Sequence, residues 1–405
     1  MREGWEVKPL KEVCLIKPPK SEARKNRNAD ILVSFAPMEA LGIDQKHLRP
    51  NQTRTMGDVV GSYTYFSNGD VLLAKITPCF ENGKLGIASD LINDIGFGSS
   101  EYIVFRANQK LDAEWLYYYL SRQSFRDEGA SRMAGAVGHK RITKDFVEDY
   151  PVPLPPLPEQ RRIVAILDEA FEGIATAKAN AEKNLQNARE VFESHLNAVF
   201  SQRGEGWVEK PLIDYSIFVS TGPFGSLLHK SDYGNTGIPL VNPINISGGF
   251  ITPNNEKHVS KETAARLTNY ILESGDVVVA RRGDIGRCAK IGDRESGWLC
   301  GTGCFFVRPK PNLDGDFLAH LIRSNPYREK LEVAASGATM LNLSNTSLSA
   351  LRVAIPNIEI QRTILSQLND FSEETQHLES LYQQKLTALN ELKQSLLHQA
   401  FNGDL

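Results

Sequence analysis

Three short segments hold residue types that phosphate or nucleotide chemistry uses. Leu167–Phe171 (LDEAF) carries the adjacent acids Asp168 and Glu169, Gly135–Lys140 (GAVGHK) is a glycine-rich run closing on lysine, and Arg281–Arg287 (RRGDIGR) mixes glycine with arginine. Each lacks the partner its chemistry requires. A phosphate loop needs glycine before its lysine so that backbone amides can wrap the phosphates, and His139 stands there. With no such loop upstream, the acidic pair has no nucleotide to serve. It falls within a helical apolar repeat and reads as helix surface. RRGDIGR has two glycines and no strand–helix setting, so it is not a dinucleotide fingerprint. There is no HExxH and no Asn/Asp-Pro-Pro-aromatic tetrapeptide of an amino-methyltransferase. His195, alone on an apolar helix face, reads as a packed residue. Cys14, Cys79, Cys288, Cys300 and Cys304 are odd in number and scattered, against a disulfide framework; Cys300 and Cys304 have no second Cys or His pair at zinc spacing. Neither a metal nor a catalytic centre is expected in this chain.

What remains is charge. The 405-residue chain has a formal net charge of −3, but the charges are segregated. Arg122, Arg126, Arg132, Lys140, Arg141 and Lys144 stand against Asp127 and Glu128 between Ser121 and Lys144, and Arg281, Arg282, Arg287, Lys290 and Arg294 against Asp284 and Asp293 further on. From Pro356 onward acids dominate, with Arg362, Lys385 and Lys393 the only Lys or Arg. The whole-chain charge does not announce a polyanion partner, but it averages over regions that differ. No apolar run approaches the roughly 18 to 20 residues of a membrane span, and the first ten residues lack a signal-peptide core, so a cytoplasmic protein with no membrane partner is expected.

The elements that must position these clusters come in two copies. Gly4–Leu10 (GWEVKPL) returns as Gly206–Leu212 (GWVEKPL), Asn68–Ala74 (NGDVLLA) as Ser274–Ala280 (SGDVVVA), and Gly135 as Gly337. Pro155, Gln160, Arg161 and Ile163 return as Pro356, Gln361, Arg362 and Ile364, and Phe200 as Phe401. In each copy short β-branched and aromatic runs separated by Gly, Asn and Pro predict a β-rich mixed globular part, residues 1–152 and 204–353. Each is followed by a long-helix segment, residues 153–203 and 354–405, entered through proline, with the first helix expected to start near Pro158. Apolar positions run Ile163, Leu167, Ala170, Ile174, Ala177, Ala181, Leu185, Ala188, Phe192, His195, Val199 in one helix. In the other they run Ile364, Leu368, Phe371, Thr375, Leu378, Tyr382, Leu386, Leu389, Leu392, Leu396, Ala400. Both show heptad spacing with one extra four-residue step. A helix on the order of 65 Å cannot be buried in either globular part. The fold class is therefore α+β: two globular domains and two long antiparallel helices forming an intramolecular coiled coil, related by a pseudo-twofold. Ala177 and Ala181 are expected to face the larger Leu378 and Tyr382. FNGDL could lead into MREGW as FSQRGEGW does in mid-chain, so the repeat is circular and the termini should meet.

The run Ala134–Asp168, with its PLPPLPEQRR entry, together with Thr221–Ile246, Gly275–Arg287 and Ser336–Leu365, resembles the specificity subunits of type I restriction-modification systems. The resemblance covers essentially the whole chain. The second helix entry, PNIEIQR, departs from the pattern in lacking the second proline and the Glu directly before Gln361. Membership implies two target-recognition domains, each reading half of a gapped DNA target, and helices that dock two methyltransferase subunits. Motor-nuclease subunits would join through those. The S-adenosylmethionine, ATP and Mg2+ would be used on the partner subunits, with no cofactor in this non-enzymatic chain.

Base-edge contacts are then expected from loops, with the basic clusters facing phosphate. The candidates are Lys75, Asn82, Lys84, His139, Lys140 and Arg141 in the first domain, and Ser226, Lys230, Arg281, Arg282 and Asn342 in the second. The competing expectation, from the helices alone, is a coiled-coil scaffold that assembles proteins and has weak or no DNA specificity.

Overall fold

The computed structural model describes residues 4–25, 27–136, 138–252, 257–335 and 342–405. Gly337, paired with Gly135 in the repeat, lies outside them. The chain divides into two compact units, one made of Met1–Glu182 with Gln384–Leu405 and the other of Lys183–Gln383. Each long helix, Leu157–Ser201 and Ile358–Asn402, contributes one part to each unit. Compactness thus groups a globular part with the start of one helix and the end of the other.

In the first unit a five-stranded sheet runs in the order Cys14–Ile16, Tyr102–Ala107, Val71–Ala74, Leu85–Ala88, His47–Leu48. A four-stranded sheet runs Gln52–Thr55, Leu32–Ala36, Gly96–Gly98, Thr64–Phe66. The second unit has a sheet of Ser216–Thr221, Cys304–Pro309, Val277–Ala280 and Cys288–Lys290, and another of Tyr233–Gly234, His258–Val259, Ile238–Val241 and Leu299–Cys300. The continuous apolar runs VLLA and VVVA are buried at every position, as central strands covered on both faces require.

The first long helix begins at Leu157, beside the expected start near Pro158, and the proline-rich entry ahead of it is not helical. Pro151–Leu154 first pairs antiparallel with Glu6–Pro9, and Arg352–Ile355 with Val208–Pro211. Proline fits these two-stranded ribbons because one edge needs no amide donor. The helices start only after the ribbon ends.

Within the first unit Arg162 donates to the carbonyl of Leu405 at 2.8 Å and Lys178 to Asn390 at 2.9 Å. Within the second, Arg189 meets Glu379 at 2.9 Å and the His195 ring lies 4.6 Å from that of Phe371. Partner numbers fall as residue numbers rise, so the helical segments in each unit are antiparallel. Ile163, Leu167, Ala181 and Leu368 are buried on this face, and Ala177, Leu185, Phe192, Ile364, Tyr382, Leu389 and Leu396 are partly buried. Leu378 departs from the expectation: it is 41% exposed, whereas Thr375 is buried at 4%. The Thr375 hydroxyl donates back to the carbonyl of Phe371 at 3.0 Å, which satisfies it inside the seam. A straight helix drifts about 20° per heptad, and Leu378 has rotated off the buried stripe.

Near their C-terminal ends the helices turn a different face inward, toward their globular parts. Leu196 and Phe200 are buried more deeply than the heptad positions His195 and Val199, and Leu397 and Phe401 join Ala400 where Leu396 is only partly covered. Phe401 stacks edge-on against Trp115 at 4.5 Å, with Trp5 at 5.7 Å from the same ring. Phe200 packs on Phe317 at 5.3 Å, with Trp207 at 5.8 Å from that ring. The two ends of the chain meet on Trp115 as the mid-chain segment meets on Phe317. The repeat is therefore circular in space as well as in sequence.

Candidate nucleic-acid interface

Most of the basic residues that cluster in the sequence are consumed by the fold. Arg122 lies over the Tyr119 ring at 3.6 Å and donates to the Tyr119 carbonyl; Arg126 donates to the Ser121 carbonyl at 2.6 Å. Both satisfy backbone acceptors at the junction of helices Ala113–Leu120 and Gln123–Ser131. Arg132 pairs with Glu128 at 2.8 Å. In the second cluster Arg287 is tied to Asp284 at 3.2 Å, Lys290 to Asp316 at 2.5 Å and Arg294 to Glu295. The expectation that both clusters present open positive surface is corrected accordingly: in the second, only Arg281 and Arg282 have no carboxylate partner among the described residues.

The acidic segment LDEAF is also more than helix surface. Asp168 accepts from Lys46 Nζ at 2.8 Å and from the Tyr118 hydroxyl, and Lys46 also meets Glu114 at 2.8 Å. This polar knot fastens the helix to its own globular part.

The loop candidates separate into two groups. In the first unit the backbone of Ile142 donates to the carbonyl of Lys75 at 3.0 Å, and Thr77 donates to Lys140 at 2.9 Å. Lys75, His139, Lys140 and Arg141 are thereby brought to one rim, His139, Lys140 and Arg141 all exposed. In the second unit Leu343 donates to the carbonyl of Arg281 at 3.0 Å and Arg282 bridges Asn342. The two frames are equivalent: Lys75 corresponds to Arg281 and Arg141 to Asn342. Lys84 is not part of the rim, because its ammonium donates to the Met38 carbonyl at 2.7 Å and holds a loop. Asn82 is exposed beside it. Ser226 and Lys230 stand exposed on short 3-10 turns at Gly225–Leu227 and Lys230–Asp232. No hydrogen bond or ion pair joins either to Arg281 or Asn342 among the described residues.

The first rim borders a cleft of about 720 Å³ lined by Lys17, Lys20, Tyr63, Tyr65, Lys75, Tyr102, Arg141, Lys144 and Glu148, among others. Lys17 adopts a left-handed backbone conformation (φ 58°). Burial, then repulsion from Lys17 and Arg24, pulls the Lys20 ammonium below its ordinary value, which marks a local excess of positive charge. Arg141 presents its fork to Glu101: Nε donates to Oε2 at 2.9 Å and Nη2 to Oε1 at 2.8 Å, while Nη1 donates to the His139 carbonyl at 3.0 Å. Arg141 holds the Glu101 carboxyl below its usual range, and Lys75 at 3.8 Å adds to the effect. Lys17, Lys20 and Glu101 escaped the sequence reading because each is a lone charge in an unremarkable loop, and only the tertiary fold gathers them.

In the second unit the corresponding polar groups lack partners. Arg281 Nε and Asn342 Oδ1 are buried without a hydrogen bond among the described residues, and the Arg281 guanidinium lies 5.9 Å from the Phe305 ring centre. Unsatisfied buried polar atoms are costly, so each calls for a partner such as water, an ion or a ligand group. Burial pushes the Cys14 and Cys288 thiols up to about 12, away from thiolate chemistry. No helix among the described residues is long and apolar enough to cross a membrane.

The chain is similar to several known proteins. A type I restriction enzyme EcoEI specificity subunit from Escherichia coli is 36% identical over 163 residues, an alignment covering 40% of this chain and 27% of the relative. The MjaVIII specificity subunit of Methanocaldococcus jannaschii is 23% identical over 279 residues, covering 64% of each. Among solved structures, one from a study of complex assembly and conformational transition in the type I R-M system superposes with a TM-score of 0.82 at 21% identity, covering 100% of this chain and 99% of that one. The HsdS subunit from Thermoanaerobacter tengcongensis superposes at 0.66 and 19% identity, covering 100% and 98%. These likenesses establish the fold. The type I restriction modification DNA specificity domain matches residues 2–186 and 225–388, and the chain belongs to that family.

Proposed function

We propose that the chain is the sequence-reading, non-catalytic subunit of a type I restriction-modification complex, with each unit reading one half of a split double-stranded DNA target. The observation that carries this is the equivalence of the two rims. One backbone frame holds Lys75 and Arg141 in the first unit and Arg281 and Asn342 in the second. A common frame with different side chains is what two readers of unlike half-sites require, because base identity is read by side-chain donors and acceptors in the major groove. Lys17, Lys20 and Lys144 supply phosphate contacts that set register.

The partners follow from the family. Two methyltransferase subunits dock on the helices and carry the S-adenosylmethionine that methylates adenine N6; motor-nuclease subunits supply the ATP- and Mg2+-dependent restriction. The chain's own part is to bind and orient DNA in the cytoplasm.

The test is duplex binding by the full chain together with its cognate methyltransferase, followed across salt concentrations. A DNA reader loses affinity steeply as salt rises, with a slope set by the number of phosphates neutralised. No duplex binding, or binding indifferent to salt, indicates a scaffold instead.

A further inference from the structure

Glu101 stands beside a cleft whose other charges suit a polyanion. Glu148, the carboxylate in the cleft lining, is engaged by Lys144 at 3.2 Å. Glu101 is held by Arg141 through both oxygens, with its side chain 23% exposed. A carboxylate offers about four acceptor sites, of which Arg141 occupies two. The remaining lone pairs have Lys75 at 3.8 Å. Near phosphate an anion is a cost, so a purely phosphate-binding rim is better without it.

The second unit lacks this group. Lys75 donates its backbone N–H to the Glu101 carbonyl at 2.9 Å, and Arg281 donates its own to Gly303, also at 2.9 Å. A Cβ on Gly303 would lie 2.8 Å from Pro243 Cδ, so no side chain is accommodated there. The two rims therefore differ in kind. One offers an oriented acceptor, and the other offers Arg281 and Asn342.

We infer that Glu101 is a specificity-determining residue whose carboxylate accepts a hydrogen bond from the exocyclic N4 amino group of a cytosine in the half-target read by the first unit. Cytosine is favoured over adenine because its major-groove edge is a donor only, whereas adenine sets the N7 lone pair beside its amino group, against the second carboxylate oxygen. Arg141 is a positioning residue here. Its fork is occupied, so it does not give guanine a bidentate contact unless the Glu101 pair breaks. The inference rests on the DNA-reading function proposed above.

The experiment is selection of bound sequences from a pool of randomised duplexes by the full chain with its methyltransferase. Glu101→Ala and Glu101→Gln are run alongside, with thermal unfolding as a check on folding and anisotropy against one fixed unrelated duplex. The wild type is expected to enrich a motif with a cytosine in one half. Glu101→Ala lowers the preference for that cytosine about tenfold, and Glu101→Gln moves it toward adenine, which an amide can contact bidentately. Both bind the unrelated duplex more tightly, since a repulsive charge is gone, and the other half of the motif is unchanged. A motif that survives both substitutions overturns the inference but leaves the DNA reader standing. So does a uniform loss of affinity with an unchanged motif, which would make Glu101 a support for phosphate-binding Arg141. A wild type that enriches no motif overturns the reader and Glu101's role together.

Discussion

The side-chain carbonyl of Gln160 accepts the backbone N–H of Asp112 at 2.8 Å, while its amide donates to the carbonyls of Lys110 at 2.9 Å and Pro155 at 2.8 Å. Gln361 makes the same three bonds to Asp314, Asn312 and Pro356. Both glutamines are fully buried. Asp112 and Asp314 in turn cap helices Ala113–Leu120 and Gly315–Arg323. One residue thus locks the entry of each long helix to the helix cap of its globular part. Gln160→Leu strands the Asp112 amide and two carbonyls without partners, at a cost of about 2 to 3 kcal/mol. Gln361→Leu should cost about the same. Amide hydrogen exchange across the two helix entries measures both, and each substitution should accelerate exchange in its own unit only.

The meeting of Trp5, Trp115 and Phe401 predicts that the last turn of the second helix belongs energetically to the first unit. Phe401→Ala should destabilise that unit by about 3 to 5 kcal/mol, and Phe200→Ala should do the same to the second. Limited proteolysis should cut within residues 4–150 in the first case and within 204–350 in the second.

A second duplicated device is the buried carboxylate. Asp70 is 1% exposed and accepts from Arg106 Nε and Nη2, both at 2.7 Å; Asp276, equally buried, accepts from Arg308 at 2.8 Å twice. Removing the arginine leaves the buried carboxylate without its ion pair. Arg308→Ala is expected to cost about 3 to 5 kcal/mol, read as a lowered urea midpoint for the second unit. Exchanging the pair for an apolar one of similar volume should recover most of it.

His320 provides the pH dependence. Burial, and then repulsion from Arg323, lowers its pKa to about 4, with Asp316 opposing. The folded state therefore holds the imidazole neutral where the unfolded chain, at about 6.5, takes a proton. Stability of the second unit is full above pH 6.5 and falls as pH drops toward 4, by about 3 kcal/mol at the lower end. Urea midpoints at pH 7 and pH 4.5 test this, and His320→Phe should flatten the difference.

The duplication, the two helices and their antiparallel pairing were legible in the sequence because each is a pattern over many residues. So was the closure of the ends, through the return of GW-KPL and Phe200 as Phe401. The buried stripe was less legible at Leu378, which the heptad spacing puts on it and the helix leaves exposed, while Thr375 holds its place by bonding its own backbone. The site was least so. Arg122, Arg126, Arg287 and Lys290 look in sequence like DNA-facing charge, yet local helix ends and nearby acids claim them. Glu101 carries no motif, and its significance comes from Arg141 and Lys75, both distant along the chain.

Methylated adenines mapped across the host genome by single-molecule sequencing, with the gene intact and deleted, decide whether the chain reads DNA for a methyltransferase. One gapped, two-part motif should lose its methylation on deletion and regain it on complementation. Persistence of every methylated motif without the gene would contradict it.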